Sequence, residues 1–80
     1  MMSKQFIIGN TYYNTCWFTG GITTYVCISR TDSEVSFAPT YHEIDGIHKG
    51  NPETFPLCSD DTREYVVVQT YKGEENRMYA

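Results

Sequence analysis

The sequence predicts an all-β protein: a small barrel or a strongly bent antiparallel sheet of five to six short strands joined by tight turns. Three observations carry this expectation. Runs rich in β-branched and aromatic residues recur along the chain, and Glu64-Tyr65-Val66-Val67-Val68-Gln69-Thr70-Tyr71 is the clearest of them. Glycine, proline and Asp/Asn/Ser clusters punctuate these runs at short intervals. No stretch shows a convincing amphipathic helical period, and 80 residues make one domain, residues 1–80, with a modest core. Closing or bending the sheet would limit its exposed edges.

Phe6-Ile7-Ile8-Gly9-Asn10-Thr11-Tyr12-Tyr13 is a lead-in segment, in which Gly9-Asn10 marks a bulge or bend. Residues 11–18 and 22–28 are rich in strand formers and flank Gly20-Gly21, which predicts a β-hairpin. In its second strand Ile22, Thr24, Val26 and Ile28 share one face, expected to be the core, and Thr23, Tyr25, Cys27 and Ser29 share the other. Arg30-Thr31-Asp32-Ser33 supplies turn chemistry. Glu34-Val35-Ser36-Phe37 then alternates, with Val35 and Phe37 inward, and Pro39 is expected to end the strand.

Asp45-Gly46 between Ile44 and Ile47 suits a two-residue type I′ turn, so residues 41–49 are read as a hairpin pairing Ile44 with Ile47, Glu43 with His48 and His42 with Lys49. Gly50-Asn51-Pro52 breaks the chain before residues 54–58, a short strand that Pro56 assigns to a sheet edge. The polar turn Ser59-Asp60-Asp61-Thr62 leads into the central strand at residues 64–71. There Val66 and Val68 face one side and Tyr65 and Val67 the other, which suits packing on both faces. Residues 72–76 read as a turn and residues 77–80 as a last edge strand.

Composition narrows the function. Six Lys and Arg against ten Asp and Glu give a net charge of −4, and Lys4, Arg30, Lys49, Arg63, Lys72 and Arg77 are scattered along the chain. Phosphate binding draws its affinity from clustered cations, so a nucleic-acid partner is disfavoured. The N-terminal stretch has an apolar run of only three residues, too short for a secretory leader, and nothing approaches a membrane span. The expectation is a soluble, cytoplasmic protein with no membrane partner, in which Cys16, Cys27 and Cys58 remain free thiols filling apolar space.

Candidate chemistry is sparse. Cys16, Cys27, Cys58, His42 and His48 are zinc-ligand types, but none forms the closely spaced pairs that hold structural zinc. A cysteine nucleophile needs a stabilised thiolate in an open pocket, whereas Cys16 and Cys27 lie where a buried, inert thiol is expected. Asp60-Asp61 and Glu74-Glu75 sit in polar turns and read as solvated charge. Glu43 opposite His48 reads as a surface pair. No catalytic residue, metal site or cofactor is expected.

Aromatic content is the remaining signal. Seven tyrosines, four phenylalanines and one tryptophan exceed what one small core buries, and tyrosine and tryptophan carry much of the binding energy at protein interfaces. Tyr13, Trp17, Tyr25, Tyr41 and Tyr65 are the candidate binding residues. They point to a non-enzymatic protein–protein interaction module with a tyrosine-rich, acidic surface, its partner another protein or a second copy of itself.

Phe6-x-x-Gly9-x-x-Tyr12, the hairpin through Gly20-Gly21, Arg30-Thr31 ahead of Val35-x-Phe37, and Glu64-Tyr65-Val66 ahead of Tyr71 together resemble small SH3-like β-barrel proteins. More narrowly, they resemble uncharacterised short proteins of phages and other mobile elements of Gram-positive bacteria. The resemblance implies a domain that binds macromolecules through its surface, and it brings no catalytic residues. The alternatives are a nucleic-acid-binding accessory barrel, since many SH3-like domains bind DNA or RNA, and a homo-oligomeric structural role.

Overall fold

The β-forming runs and the turns between them produce eight strands in the computed structural model, which describes residues 4–80. Met1, Met2 and Ser3, part of the stretch read above for a leader, lie outside the described residues. The strands are β1 (Thr11–Thr15), β2 (Ile22–Arg30), β3 (Glu34–Glu43), β4 (Gly46–Lys49), β5 (Glu53–Pro56), β6 (Cys58–Ser59), β7 (Glu64–Tyr71) and β8 (Glu74–Tyr79). The all-β expectation holds. The closed barrel does not: the strands form two antiparallel sheets, one of five strands in the order β1-β2-β3-β4 with β5 also on β3, the other in the order β6-β7-β8.

The core lies between the sheets. Phe6, Tyr25, Cys27, Val35, Phe37, Val66 and Met78 are buried, and Tyr12, Phe55, Leu57 and Val68 pack against them. Phe37 is its centre, meeting Phe6 edge to face at 5.2 Å and Tyr25 at 5.8 Å between ring centroids. Such edge-to-face pairs add to the stabilisation that burial alone gives. Val35 and Phe37 face inward as expected. The opposite holds for β2, where Thr23, Tyr25 and Cys27 are buried and Ile22 and Ile28 are exposed. The sheet explains this reversal. Tyr12 and Pro39 flank Tyr25 on neighbouring strands, so the side holding Tyr12, Phe37 and Phe55 is the one the second sheet covers, and the alternation of one strand follows it. A bulge between Cys27 and Ser29 adds Ile28 as an unmatched residue and leaves it outward.

Pro39 does not end its strand. β3 continues to Glu43 because the Pro39 carbonyl accepts from Gly50 N–H at 3.0 Å, which directs this residue's backbone polar groups away from β2 and towards the gap between β4 and β5. Its missing N–H therefore interrupts no ladder bond.

The β3–β4 hairpin forms in a different register from the expected one, pairing Glu43 with Gly46, His42 with Ile47 and Tyr41 with His48. Ile44 and Asp45 occupy the turn, neither has positive φ, and Gly46 alone takes φ 138°, so the turn is not type I′. The final hairpin is tighter than expected. Lys72 and Gly73, at φ 51° and 82°, form the two-residue turn with positive φ at both positions, and β8 begins at once at Glu74.

Polar contacts fix the sheets at two places. At one end Arg30 pairs with Glu64, and Phe6 N–H donates to the same carboxylate. The Glu64 backbone joins Lys4 and Ala80, its N–H donating to the Lys4 carbonyl and its carbonyl accepting from Ala80 N–H, each at 3.0 Å. At the other end Asn14 and Asn76 exchange side-chain hydrogen bonds at 2.9 and 3.1 Å.

Candidate functional site

The five candidate binding residues do not form one surface. Tyr13 projects from the outer face of the larger sheet and is 69% exposed, while Trp17 is exposed in the loop after β1. Tyr25 is 6% exposed and belongs to the core, which corrects its placement on a binding surface; its ring lies against Phe37 and Phe55. Tyr41 is half-buried and its hydroxyl donates to Glu53 Oε1 at 3.0 Å. Tyr65 stands on the outer face of the smaller sheet.

The residues around Tyr65 were not singled out in the sequence. Tyr65 is directly opposite Tyr79 on β8, with ring centroids 5.4 Å apart. Arg63 lies over the Tyr79 ring at 4.2 Å and Arg77 over the Tyr65 ring at 4.3 Å. The result is a ladder of guanidinium, ring, ring and guanidinium across one face. Each stacked pair contributes about 0.5–1 kcal/mol at an exposed site and holds the arginine in a defined plane. Glu75 accepts from Arg77 Nη2 at 2.8 Å, whereas no acidic group lies within ion-pair distance of Arg63 among the described residues. Although the chain is acidic, this face is basic and aromatic. The period-two alternation of residues 63, 65, 77 and 79 was visible in the sequence, but the pairing of β7 with β8 was not.

Between the sheets, at the Asn14–Asn76 end, a cavity of about 270 Å³ opens to solvent. Its wall includes Tyr25, Tyr41, Glu53, Cys16, Val68 and Gln69. Gly50 lets Tyr41 lie where it does, since a Cβ there would sit 2.5 Å from the Tyr41 ring. A bulge between Val67 and Gln69 sets Gln69 opposite the buried Asn76, so Val68 and Gln69 both border the cavity; strict alternation would have separated them. Gln69 Nε2 donates to Cys16 Sγ at 3.1 Å, and Gln69 Oε1 accepts from Trp17 N–H at 3.0 Å and from Asn76 Nδ2 at 2.9 Å.

Cys16 is therefore not the inert, buried thiol expected. It is half-buried, and hydrogen bonds from Thr19, with smaller help from Phe18 and Gln69, lower its pKa to about 7. His42 stands at the rim of the same cavity, but no hydrogen bond joins it to Cys16, so no thiolate–imidazole pair is formed. Cys27 is buried and its thiol pKa is raised by desolvation. Tyr25 has its hydroxyl pKa pushed up to about 12, first by burial and then by the charge of Glu53.

A trio that offers metal ligands arises from the altered hairpin register. Glu43, Asp45 and His48 bring ligand atoms within 4.8 Å of one another, and His48 Nε2 lies 3.1 Å from Asp45 Oδ1, in place of the expected Glu43–His48 pair. All three residues are exposed, and the cysteines and His42 take no part.

Comparison with protein-family models, with curated proteins and with solved structures finds no match. Among the described residues no helix is long and apolar enough to cross a membrane.

Proposed function

We propose that the protein is a non-enzymatic binding module that contacts another protein through the outer face of the β6-β7-β8 sheet. The observation that carries this reading is the Arg63–Tyr79–Tyr65–Arg77 ladder. Tyrosine and arginine are over-represented among residues that dominate interface energetics, and side chains already held in place lose little entropy on binding. The partner that fits presents carboxylates to Arg63 and a flat apolar surface to the two rings. This replaces the acidic contact surface expected from net charge with a locally basic one.

The resemblance to small SH3-like proteins of phages and mobile elements supports the same reading, because it implies surface binding without catalysis. A cytoplasmic setting suits three cysteines that form no disulfide.

The test is capture of partner proteins from host lysate by the wild type and by Tyr65→Ala and Arg63→Ala, with thermal unfolding measured in parallel. Captured protein should fall at least tenfold in both variants while the midpoint moves by only a few degrees. Equal capture by all three would overturn the reading. So would tight binding of single-stranded DNA by the wild type at 150 mM salt, which would make the stacked face a base platform.

A further inference from the structure

The cavity between the sheets lies apart from the Arg–Tyr face and has its own chemistry. Its lining includes two carboxylates, Glu53 within and Glu43 at the rim, and neither lysine nor arginine. Glu53 receives one hydrogen bond, from Tyr41 to Oε1, and its second oxygen has no donor among the described residues. Two side-chain amides of the wall make hydrogen bonds within the protein, Gln69 Nε2 donating to Cys16 Sγ and Asn14 Nδ2 donating to Asn76 Oδ1. The acceptors beside one another in this wall are the second Glu53 oxygen and the lone pairs of the Tyr41 hydroxyl, whose proton is given to Glu53 Oε1. Val68 and Ile22 add apolar surface to the same wall.

A cavity that holds carboxylates and no lysine or arginine is complementary to a positively charged ligand that donates hydrogen bonds. A primary ammonium has three N–H donors and no acceptor. A volume of about 270 Å³ matches roughly nine waters at ~30 Å³ each, ample for an alkylammonium of five or six heavy atoms. The ring of a tyrosine beside a carboxylate further favours an organic cation over a neutral ligand. We propose that this cavity is a binding site for a small primary amine in its ammonium form, with Glu53 as counter-ion, the Tyr41 hydroxyl as positioning group and Val68 as the support for the alkyl chain.

The experiment is a two-dimensional NMR titration of the full chain with n-butylammonium chloride at pH 7 in 150 mM NaCl, where non-specific attraction to an acidic protein is screened. The butylammonium shifts should saturate and map to Thr23, Tyr25, Tyr41, Glu53 and Gln69. Neutral n-butanol and anionic butyrate at the same concentrations should leave these signals in place. Glu53→Gln keeps an acceptor for Tyr41 while it removes the charge and replaces the second oxygen with an amide donor, so it should weaken binding at least tenfold with an unchanged circular dichroism spectrum. Tyr41→Phe, which retains the ring, should weaken binding less. The proposal is overturned if n-butanol binds as well as the ammonium or if Glu53→Gln binds equally tightly. It also fails if the shifts map to the exposed Asp60-Asp61 and Glu74-Glu75 turns instead.

Discussion

Arg30 holds Glu64 with both terminal nitrogens, Nη1 to Oε1 at 2.7 Å and Nη2 to Oε2 at 2.8 Å, across 34 residues of sequence. The arginine ends β2 and the glutamate begins β7, so this forked pair joins the two sheets directly. Arg30 Nη1 also donates to the Phe6 carbonyl at 2.8 Å, and Phe6 N–H donates to Glu64 Oε1 at 2.8 Å. Three separate segments thus converge on one carboxylate that is only 3% exposed.

Removing that charge should be expensive. Glu64→Gln leaves the guanidinium without its counter-charge, and breaking a buried pair from one side costs about 3–5 kcal/mol. Because the Arg30 side chain is 24% exposed, the lower end applies, about 3 kcal/mol by urea unfolding. Arg30→Lys should lose much of the same stability, since a single ammonium does not reproduce the fork. A change below about 1 kcal/mol in Glu64→Gln would show that water replaces the pair without loss.

The same contact sets a pH dependence. Hydrogen bonds from Arg30, with help from Phe6 N–H, lower the Glu64 pKa below its ordinary value, which lies near 4.5. A carboxylate with a depressed folded pKa contributes stability above its unfolded pKa, and that contribution is lost as pH falls through the folded value. The thermal midpoint should therefore hold from neutral pH down to about pH 5 and decline below about pH 4.5. Glu64→Gln should flatten that acid limb. An acid limb as steep in the variant as in the wild type would assign the dependence to other carboxylates, of which Asp60 has the same sign.

Substitutions on β2 and β3 distinguish the two faces. Phe37 is fully buried among Phe6, Tyr12, Tyr25 and Phe55, so Phe37→Ala should cost about 3–5 kcal/mol. Ile28→Thr, at the outward bulge, should stay within about 0.5 kcal/mol. If Ile28→Thr approached the cost of Phe37→Ala, the outer face of the larger sheet would be covered in solution.

Thiol chemistry separates Cys16 from Cys27. Hydrogen bonds from Thr19 lower the Cys16 pKa to about 7 and favour its thiolate, whereas burial raises the Cys27 thiol. Iodoacetamide at pH 7 should alkylate Cys16 first, and Thr19→Val should slow that reaction several-fold. Peptide mapping by mass spectrometry reads the order. Labelling of Cys27 ahead of Cys16 in the folded protein would reverse the assignment.

Strand-forming runs were legible because they depend on neighbouring residues. Glu64–Tyr71 is a strand with the expected bounds, and Val66 and Val68 lie on its core side. The hairpin around Gly20-Gly21 also forms, but its first strand ends at Thr15 instead of reaching residue 18, and residues 16–21 make the loop. What failed was everything decided between strands. One strand's pattern pointed Ile22 and Ile28 inward, but the aromatic rings of β1, β3 and β5 determined the buried side. Single-residue bulges at Ile28 and Val68 changed which side chains share a face, and no local residue type announces them. Register placed Glu43, Asp45 and His48 together and set Tyr79 opposite Tyr65. The cavity depends on both sheets, so only its individual tyrosines could be noticed in advance.

The Glu64 backbone, which bonds Lys4 on its N–H and Ala80 on its carbonyl, has a topological consequence. Lys4 and Ala80 meet on one residue, so the two ends of the described segment lie side by side. A short Gly/Ser linker from Ala80 to Lys4, with new ends opened at the exposed Ile44-Asp45 turn, would preserve every pairing except the closing bond of that hairpin. The order in which the strands are synthesised is thus separable from the order in which they pair.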